Sequence, residues 1–244
     1  MKRAAPAART AGTVRLPPIA DLSFLSQVEL RRLAEAGAEL GEIARVLAKT
    51  GDNVVGELLR AEGSFYEWDH YPPGDVHDPE SGAQYYYHAH AAAERAPGEH
   101  GHFHAFVRTG DAHSPAPCHL AAIAMTDAGQ PFRLFTVNRW VTGETWRPAN
   151  QSAALLDRFH VDLVRPSWVT NRWIGACLAL FRPQVLALLD ARDRTLAAWR
   201  RRHPGRDLFE DRSLDVLSAI DVDVSSQVAL VHRALVKPAR RRSQ

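Results

Sequence analysis

The chain has 244 residues, of which 45% are hydrophobic and 24% charged, and these values are typical of a globular domain. They exclude a wholly disordered chain and a collagen-like fibre, and two cysteines are too few for a disulfide framework. No apolar run approaches the ~20 residues that a membrane-spanning helix needs, and no apolar stretch follows the basic N-terminus. We therefore expect a cytoplasmic protein without a membrane partner.

The net charge of +2 is unevenly distributed along the chain. Residues 1–15 and 233–244 contain four and five basic residues without an acid, which leaves −7 for the rest of the chain. A nucleic-acid-binding domain concentrates basic charge on its folded surface. The sequence instead predicts disordered basic tails at 1–20 and 237–244 around a single domain at 21–236, and a nucleic-acid partner is not expected.

The first part of that domain, residues 22–62, is predicted to be helical. Ser26 and Glu29 form a capping box ahead of apolar residues at helical spacings, with breaks predicted near Gly37 and Gly51. Short helices also suggest a helix-turn-helix, in which residues 53–60 would enter the DNA groove. Because Arg60 is the only cation of that segment, we favour packing helices over a DNA-binding motif.

Residues 65–147 are predicted to form an antiparallel sheet, because aromatic, β-branched and turn residues replace the helix formers. The short link at 127–130 is typical of a hairpin. The predicted strands, which form a meander, are 85–91, 102–108, 119–126 and 132–140.

The last part, residues 150–236, is predicted to be helical again, and Pro183 should interrupt its longest helix. The predicted helices are 152–159, 173–202, 213–220 and 226–235. Helices before and after an antiparallel meander of about four strands define an α+β domain, with helices at 22–62, the sheet at 65–147 and helices at 150–236.

Histidines are concentrated in the predicted sheet, which holds nine of the 12 within residues 70–119. His88 and His90 are two residues apart, as are His102 and His104, so each pair projects from one face of its strand. A hairpin centred on residue 96 would place His88 opposite His104 and His90 opposite His102. The four imidazoles would then converge on one metal ion.

The opposite face of the same hairpin is predicted to pack in the core, because it carries Tyr85, Tyr87, Phe103 and Val107. Two carboxylates, Glu94 and Glu99, lie in the connection between the strands. Two or three histidines with one carboxylate form the ligand set of non-haem iron oxygenases and of many catalytic zinc sites. A closed site of four histidines is more typical of a storage or structural role.

Within this hairpin, Gly82, His88, His90, Glu94 and Gly101 resemble the first signature motif of the cupins, G-x5-H-x-H-x3-E-x6-G, at every spacing. The resemblance implies that His88, His90 and Glu94 are metal ligands. It covers about 20 residues, and the second cupin motif is poorly matched: the Pro115, Pro117 and His119 region lacks its glycine and asparagine. We therefore interpret the motif as a shared local solution to metal binding.

A broader resemblance covers residues 65–182. The segments FYEWDHYPPGDV, QYYYHAH, GEHGHFH and NRWVTGETW are similar to an uncharacterised proteobacterial family of domains of unknown function. That resemblance implies a bacterial protein but no activity.

Several neighbouring residues have alternative interpretations. Asp69 and His70, with Trp68 and Tyr71, are candidates either to orient the ligand imidazoles or to form a packed loop. Arg139 could bind an anionic substrate or pair with Glu144. Cys118 is interpreted as a small buried residue rather than a ligand. Tyr86 is expected to line the pocket, and the histidines whose roles stay open are His100, His113 and His119.

The sequence thus predicts a mononuclear divalent metal site formed by some of His88, His90, Glu94, His102 and His104. Iron is the first expectation and zinc and manganese are the alternatives, in an enzyme that activates oxygen or water for a small-molecule substrate. A non-catalytic metal-binding or sensing protein is the second hypothesis. The third is an interaction module in which the histidines are structural and the basic tails recruit a partner.

Overall fold

The structure, a computed structural model, describes residues 12–110 and 116–236. Its centre is one seven-stranded sheet in which the strand order is β1-β7-β6-β5-β4-β3-β2. Neighbouring strands are antiparallel except β1 and β7, which are parallel. The strands are β1 (Val14–Leu16), β2 (Tyr71–His77), β3 (Ala83–His88), β4 (Gly101–Thr109), β5 (Ala116–Met125), β6 (Pro131–Val137) and β7 (Val216–Asp221).

The helices of the described residues pack mainly on one face of this sheet. They bury the alternate strand residues Tyr85, Tyr87, Phe103 and Val107 in the main core, as the sequence predicts. The helices are α1 (Gln27–Ala48), α2 (Val54–Leu59), α3 (Arg139–Thr142), α4 (Ala149–Leu156), α5 (Trp168–Leu180), α6 (Arg182–Arg202) and α7 (Val224–Val236). The other face carries the histidines and is called the histidine face below.

The N-terminal helical region agrees with its prediction in most details. Ser26 caps α1 and exchanges hydrogen bonds with Glu29, which confirms the capping box. The break predicted near Gly37 is wrong, because α1 continues through it. A Cβ atom at Gly37 would lie 2.7 Å from the side chain of Val228, so this glycine permits close packing of α1 against α7.

Helix α2 is a packing helix. Asn53 caps its N-terminus, and Val54, Val55 and Leu58 are buried in the core. Arg60 is the one cation of residues 53–60 that could have contacted DNA. It pairs instead with Asp52 and Glu57.

Helices α5 and α6 confirm the interruption predicted at Pro183, which lies in the first turn of α6. The two helices meet at Phe181 with a bend of 70°. Within the described ranges, no single helix is both long and apolar enough to cross a membrane, and α5 and α6 meet both conditions only when taken together as this bent pair.

The α+β class and the four central strands are confirmed, but the sheet is larger than the predicted meander. The helix predicted at 213–220 is wrong, because Val216–Asp221 forms β7. Its side chains alternate between the two faces: Ser218 bonds to the Leu188 carbonyl on the helical side, and Ala219 packs with Phe135 on the histidine face.

The two edge strands also escaped prediction. Residues 14–16 were assigned to an N-terminal tail but form β1, which pairs with β7. Strand β2 contains Pro72, Pro73 and Gly74, residues that are depleted in strands and tolerated at a sheet edge. Of the two predicted tails, residues 1–11 and 237–244 lie outside the described residues.

Candidate metal centre

Three histidines from two adjacent strands meet on the histidine face. His88 is the last residue of β3, and His102 and His104 lie on β4. One potential ligand atom from each lies within 4.8 Å of the other two, which makes this the one such group among the described residues that could hold a metal ion. The Nε2 atoms of His88 and His102 are only 2.7 Å apart. All three side chains are buried, with exposed fractions of 8%, 3% and 1%.

The strand register differs from the predicted one by two residues. His88 pairs with His102, and His104 pairs with Tyr86, whereas the hairpin centred on residue 96 paired His88 with His104. A shift of two residues keeps each side chain on the same face, so the predicted shared face is confirmed while the predicted pairs are wrong. Gly101 accompanies this register, because a Cβ atom there would lie 2.6 Å from the His88 carbonyl oxygen.

His90 lies beyond the end of β3 and its nitrogens are outside the three-histidine group. Its ring still contacts the edges of two members, with centroid distances of 5.0 Å to His88 and 5.1 Å to His102. The His90 ring also stacks on Trp68.

Glu99 orients His102. Its Oε1 accepts a hydrogen bond of 2.7 Å from Nδ1 of His102, and its Oε2 accepts one of 2.9 Å from Arg133. Because a carboxylate only accepts, the His102 proton stays on Nδ1 and the lone pair of Nε2 faces His88. A histidine–carboxylate pair of this kind fixes the tautomer and the ring orientation of metal ligands.

His119 orients His104 in a similar way. Nε2 of His119 lies 3.0 Å from Nδ1 of His104, and when His119 accepts this hydrogen bond, the lone pair of His104 lies on Nε2, as a ligand bond requires. His119 is itself only 1% exposed, and its backbone N–H donates to Glu144. One of the three histidines that the sequence left open therefore supports the cluster.

Aromatic rings enclose the cluster. The Tyr86 ring packs edge to face against His88 and at a tilt against His104, with centroid distances of 5.4 Å and 5.1 Å. His70 stacks on Tyr86 at 3.7 Å and hydrogen bonds to Asp75. Phe135 contacts the His102 ring at 5.3 Å. The expected place of Tyr86 beside the histidines is confirmed.

Burial keeps His88, His90, His104 and His119 neutral. Desolvation, aided by neighbouring histidines, lowers the pKa of His88 to about 2, and desolvation lowers that of His90 to about 4. The pKa of His119 is about 3, and that of His104 is well below its ordinary value. Although burial opposes it, the hydrogen bond from His102 and the Arg133 charge lower the pKa of Glu99. Neutral imidazole is the form that binds metals.

The two carboxylates near the cluster have different positions. Glu94, the ligand that the cupin-like spacing implies, lies in a short 3-10 helix (Ala92–Glu94) and is not part of the three-histidine group. Of these two carboxylates, Glu99 is the one that contacts a histidine of the group, through its hydrogen bond with Nδ1 of His102. Spacing along the chain could not distinguish them, because both lie in the connection between β3 and β4.

The remaining candidates are placed elsewhere. Arg139 pairs with Glu210 rather than Glu144. Cys118 is buried on the helical side beside Ser152, as its interpretation as a small buried residue requires. Nδ1 of His100 hydrogen bonds to the Tyr87 hydroxyl, also on the helical side. Tyr71 hydrogen bonds to the backbone of Tyr66, and His113 lies outside the described residues.

Fold and site together define the class: an α+β protein with a seven-stranded, mostly antiparallel sheet and a buried three-histidine group that could hold a metal ion. The chain belongs to the family described as domain of unknown function (DUF6969), whose model matches residues 34–222. The matched range begins within α1, contains all of the histidine cluster and ends after β7. No curated protein and no solved structure matches the chain.

Proposed function

We propose that this protein is a metal-dependent enzyme with one divalent ion held by His88, His102 and His104. The observation that carries the proposal is the convergence of these buried imidazoles, with two Nε2 atoms 2.7 Å apart. Three buried imidazoles, two of them oriented through their second nitrogen, have the ligand chemistry of a catalytic site with an open position.

The donor set fits a metal with little rearrangement. Zinc–nitrogen bonds of about 2.0–2.1 Å in tetrahedral geometry place two ligand nitrogens about 3.3 Å apart. The His88 and His102 rings would therefore have to separate by about 0.6 Å relative to the present distance. That displacement is small compared with the freedom of a χ2 torsion in histidine.

The donor set favours activation of water. A bound divalent ion with three neutral ligands keeps its full charge and lowers the pKa of a bound water molecule. Glu99 is hydrogen bonded to His102 and Arg133 and is therefore not free to join as the carboxylate of an iron site. We accordingly favour a water-activating, hydrolytic centre over the oxygen-activating iron centre that the sequence suggests first.

The residues around the group would bind and orient the substrate. Burial, with the Asp75 charge, raises the pKa of Tyr86, so its hydroxyl stays protonated and can donate a hydrogen bond. Tyr86, Phe135 and the stacked His70 would exclude bulk water from this part of the histidine face. A small molecule with a polar oxygen next to an apolar or planar group matches these walls.

A non-catalytic metal-binding protein is the second candidate function. Its supporting observation is His90, whose ring lies beside two of the three histidines and could complete a closed site of four imidazoles. The two candidates differ in whether the metal has an exchangeable position.

Loading with Co²⁺ and titration with azide distinguishes them, because azide changes the visible spectrum of the ion only when it can bind to it. An azide-dependent spectrum in the wild-type protein would support the enzyme. A Co²⁺ spectrum that azide leaves unchanged would support the closed site. Absence of stoichiometric metal binding would contradict both candidates.

A further inference from the structure

His90 lies at the edge of the metal group without joining it. Its ring stands nearly perpendicular to those of His88 and His102, at interplanar angles of 86° and 79° and centroid distances of about 5 Å. The backbone at this point is held in place, since Nε of Arg95 donates to the His90 carbonyl at 2.7 Å. Rotation of the side chain is therefore the motion that would bring a His90 nitrogen to the metal.

Trp68 occupies the position that opposes this rotation. Its indole stacks on the His90 ring with a centroid distance of 4.4 Å and an angle of 16° between the planes. Its backbone N–H donates to the carbonyl of Ala89, the residue just before His90, at 2.8 Å. Trp68 is thus fixed to the segment that carries His90 both through the ring and through the backbone.

Two properties of Trp68 are difficult to explain by folding alone. Its φ angle is +74°, in the left-handed region that bulky side chains rarely adopt. Its side chain is 53% exposed, so the indole adds little to the core. Strained residues of this kind tend to occur at functional sites, where the surroundings hold them.

We propose that Trp68 is a positioning residue that holds His90 out of the metal coordination sphere and so keeps the fourth position open for water and substrate. This inference rests on the proposed metal site. Without the stacked indole, the His90 ring would turn towards His88 and His102 and close the site. Loss of one exposed side chain would then leave the metal fully coordinated, without a position at which water or substrate could exchange.

The test uses full-length protein loaded with Co²⁺ and titrated with azide. Trp68→Gly removes the indole and relieves the positive φ, so this variant should fold at least as well as the wild type. We expect its azide affinity to fall by about tenfold or more, because His90 takes the position that azide needs. Trp68→Phe keeps an aromatic face over His90 and should retain the wild-type response.

The double variant Trp68→Gly/His90→Ala is the decisive control. It should recover azide binding, because no fourth imidazole remains to occupy the open position. If loss of Trp68 instead disturbed the site in general, azide binding would stay weak in the double variant as well. Unchanged azide binding in Trp68→Gly, or no recovery in the double variant, would overturn the inference while leaving the metal site intact. Failure of the wild-type protein to bind Co²⁺ would instead contradict the proposed function itself.

Discussion

Glu99 accepts a hydrogen bond of 2.7 Å from Nδ1 of His102, three residues further along the chain, and both side chains are buried. This contact fixes the His102 tautomer and turns Nε2 towards His88. It also explains how one carboxylate in the β3–β4 connection can be important to a metal site without being a ligand. Arg133 on β6 balances its charge from the other side.

Glu99→Gln should therefore weaken metal binding by about 10–100-fold, the usual effect of removing an outer carboxylate partner. The dissociation constant for Zn²⁺ or Co²⁺, measured by competition with a chromophoric chelator, checks this. Glu94→Gln is the matched control, since Glu94 lies in the same connection but outside the group, and its affinity should equal that of the wild type. The reverse order of the two variants would restore Glu94 as the ligand that the cupin-like spacing implies.

The observed strand register makes different predictions for two histidines that the sequence treats alike. His88→Ala should abolish metal loading while leaving the helical content of the far-UV spectrum intact, because His88 lies on the face opposite the main core. His90→Ala should keep its metal stoichiometry, because His90 lies outside the group. Metal analysis of the two purified variants decides the point, and equal loss in both would favour the predicted four-histidine site.

Acid should destabilise the metal-free protein strongly. His88 and His119 have pKa values of about 2 and 3 in the folded state, against about 6.5 for an unfolded histidine. Above pH 6.5 these histidines are unprotonated in both the folded and the unfolded protein. Below pH 6.5 they bind protons in the unfolded chain but not in the folded one. Each such histidine then lowers the free energy of unfolding by about 1.4 kcal/mol per pH unit.

Urea unfolding of the metal-free protein at a series of pH values from 7.5 to 4.5 measures this loss. The midpoint should be constant above pH 6.5 and should fall steadily below it. His119→Phe should make the decline shallower, because one histidine fewer is protonated on unfolding. A midpoint that does not change over this range would show that the imidazoles are accessible to protons in the folded state.

The core face of β3 gives a prediction that is independent of metal. The hydroxyl of Tyr85 donates to Oδ1 of Asn171 on α5 at 2.6 Å, and both residues are fully buried. Tyr85→Phe leaves that acceptor without a partner and should lower the free energy of unfolding by about 1–3 kcal/mol. Chemical denaturation measures the change, and Tyr66→Phe, at an exposed tyrosine, is the control. Metal affinity should be unaffected by either variant.

Much of the fold could be predicted because local patterns determine it. The Ser26–Glu29 capping box, the interruption at Pro183 and the period-two alternation of Tyr85, Tyr87 and Phe103 each have a local physical cause. Strands β1 and β7 could not be predicted, because each is short and exists by pairing with a distant partner. The register of β3 and β4 depends on the close approach at Gly101, which spacing along the chain does not reveal.

The candidate site, like the fold, could be predicted from the sequence only in part. Its histidine face followed from the spacing of His88, His102 and His104, and all three are in the group. The roles of Glu99 and His119 depend on side-chain directions in the folded state. Arg133 comes from β6 and carries no motif that could have pointed to it.

The most direct test of the central claim is the metal content of the untagged protein, purified without chelators and measured by plasma mass spectrometry beside His102→Ala. We expect about one divalent ion per chain in the wild type and none in the variant. Wild-type protein without metal, even after anaerobic reconstitution with iron, zinc and manganese, would rule out the proposed metal site, and so would equal metal content in both proteins.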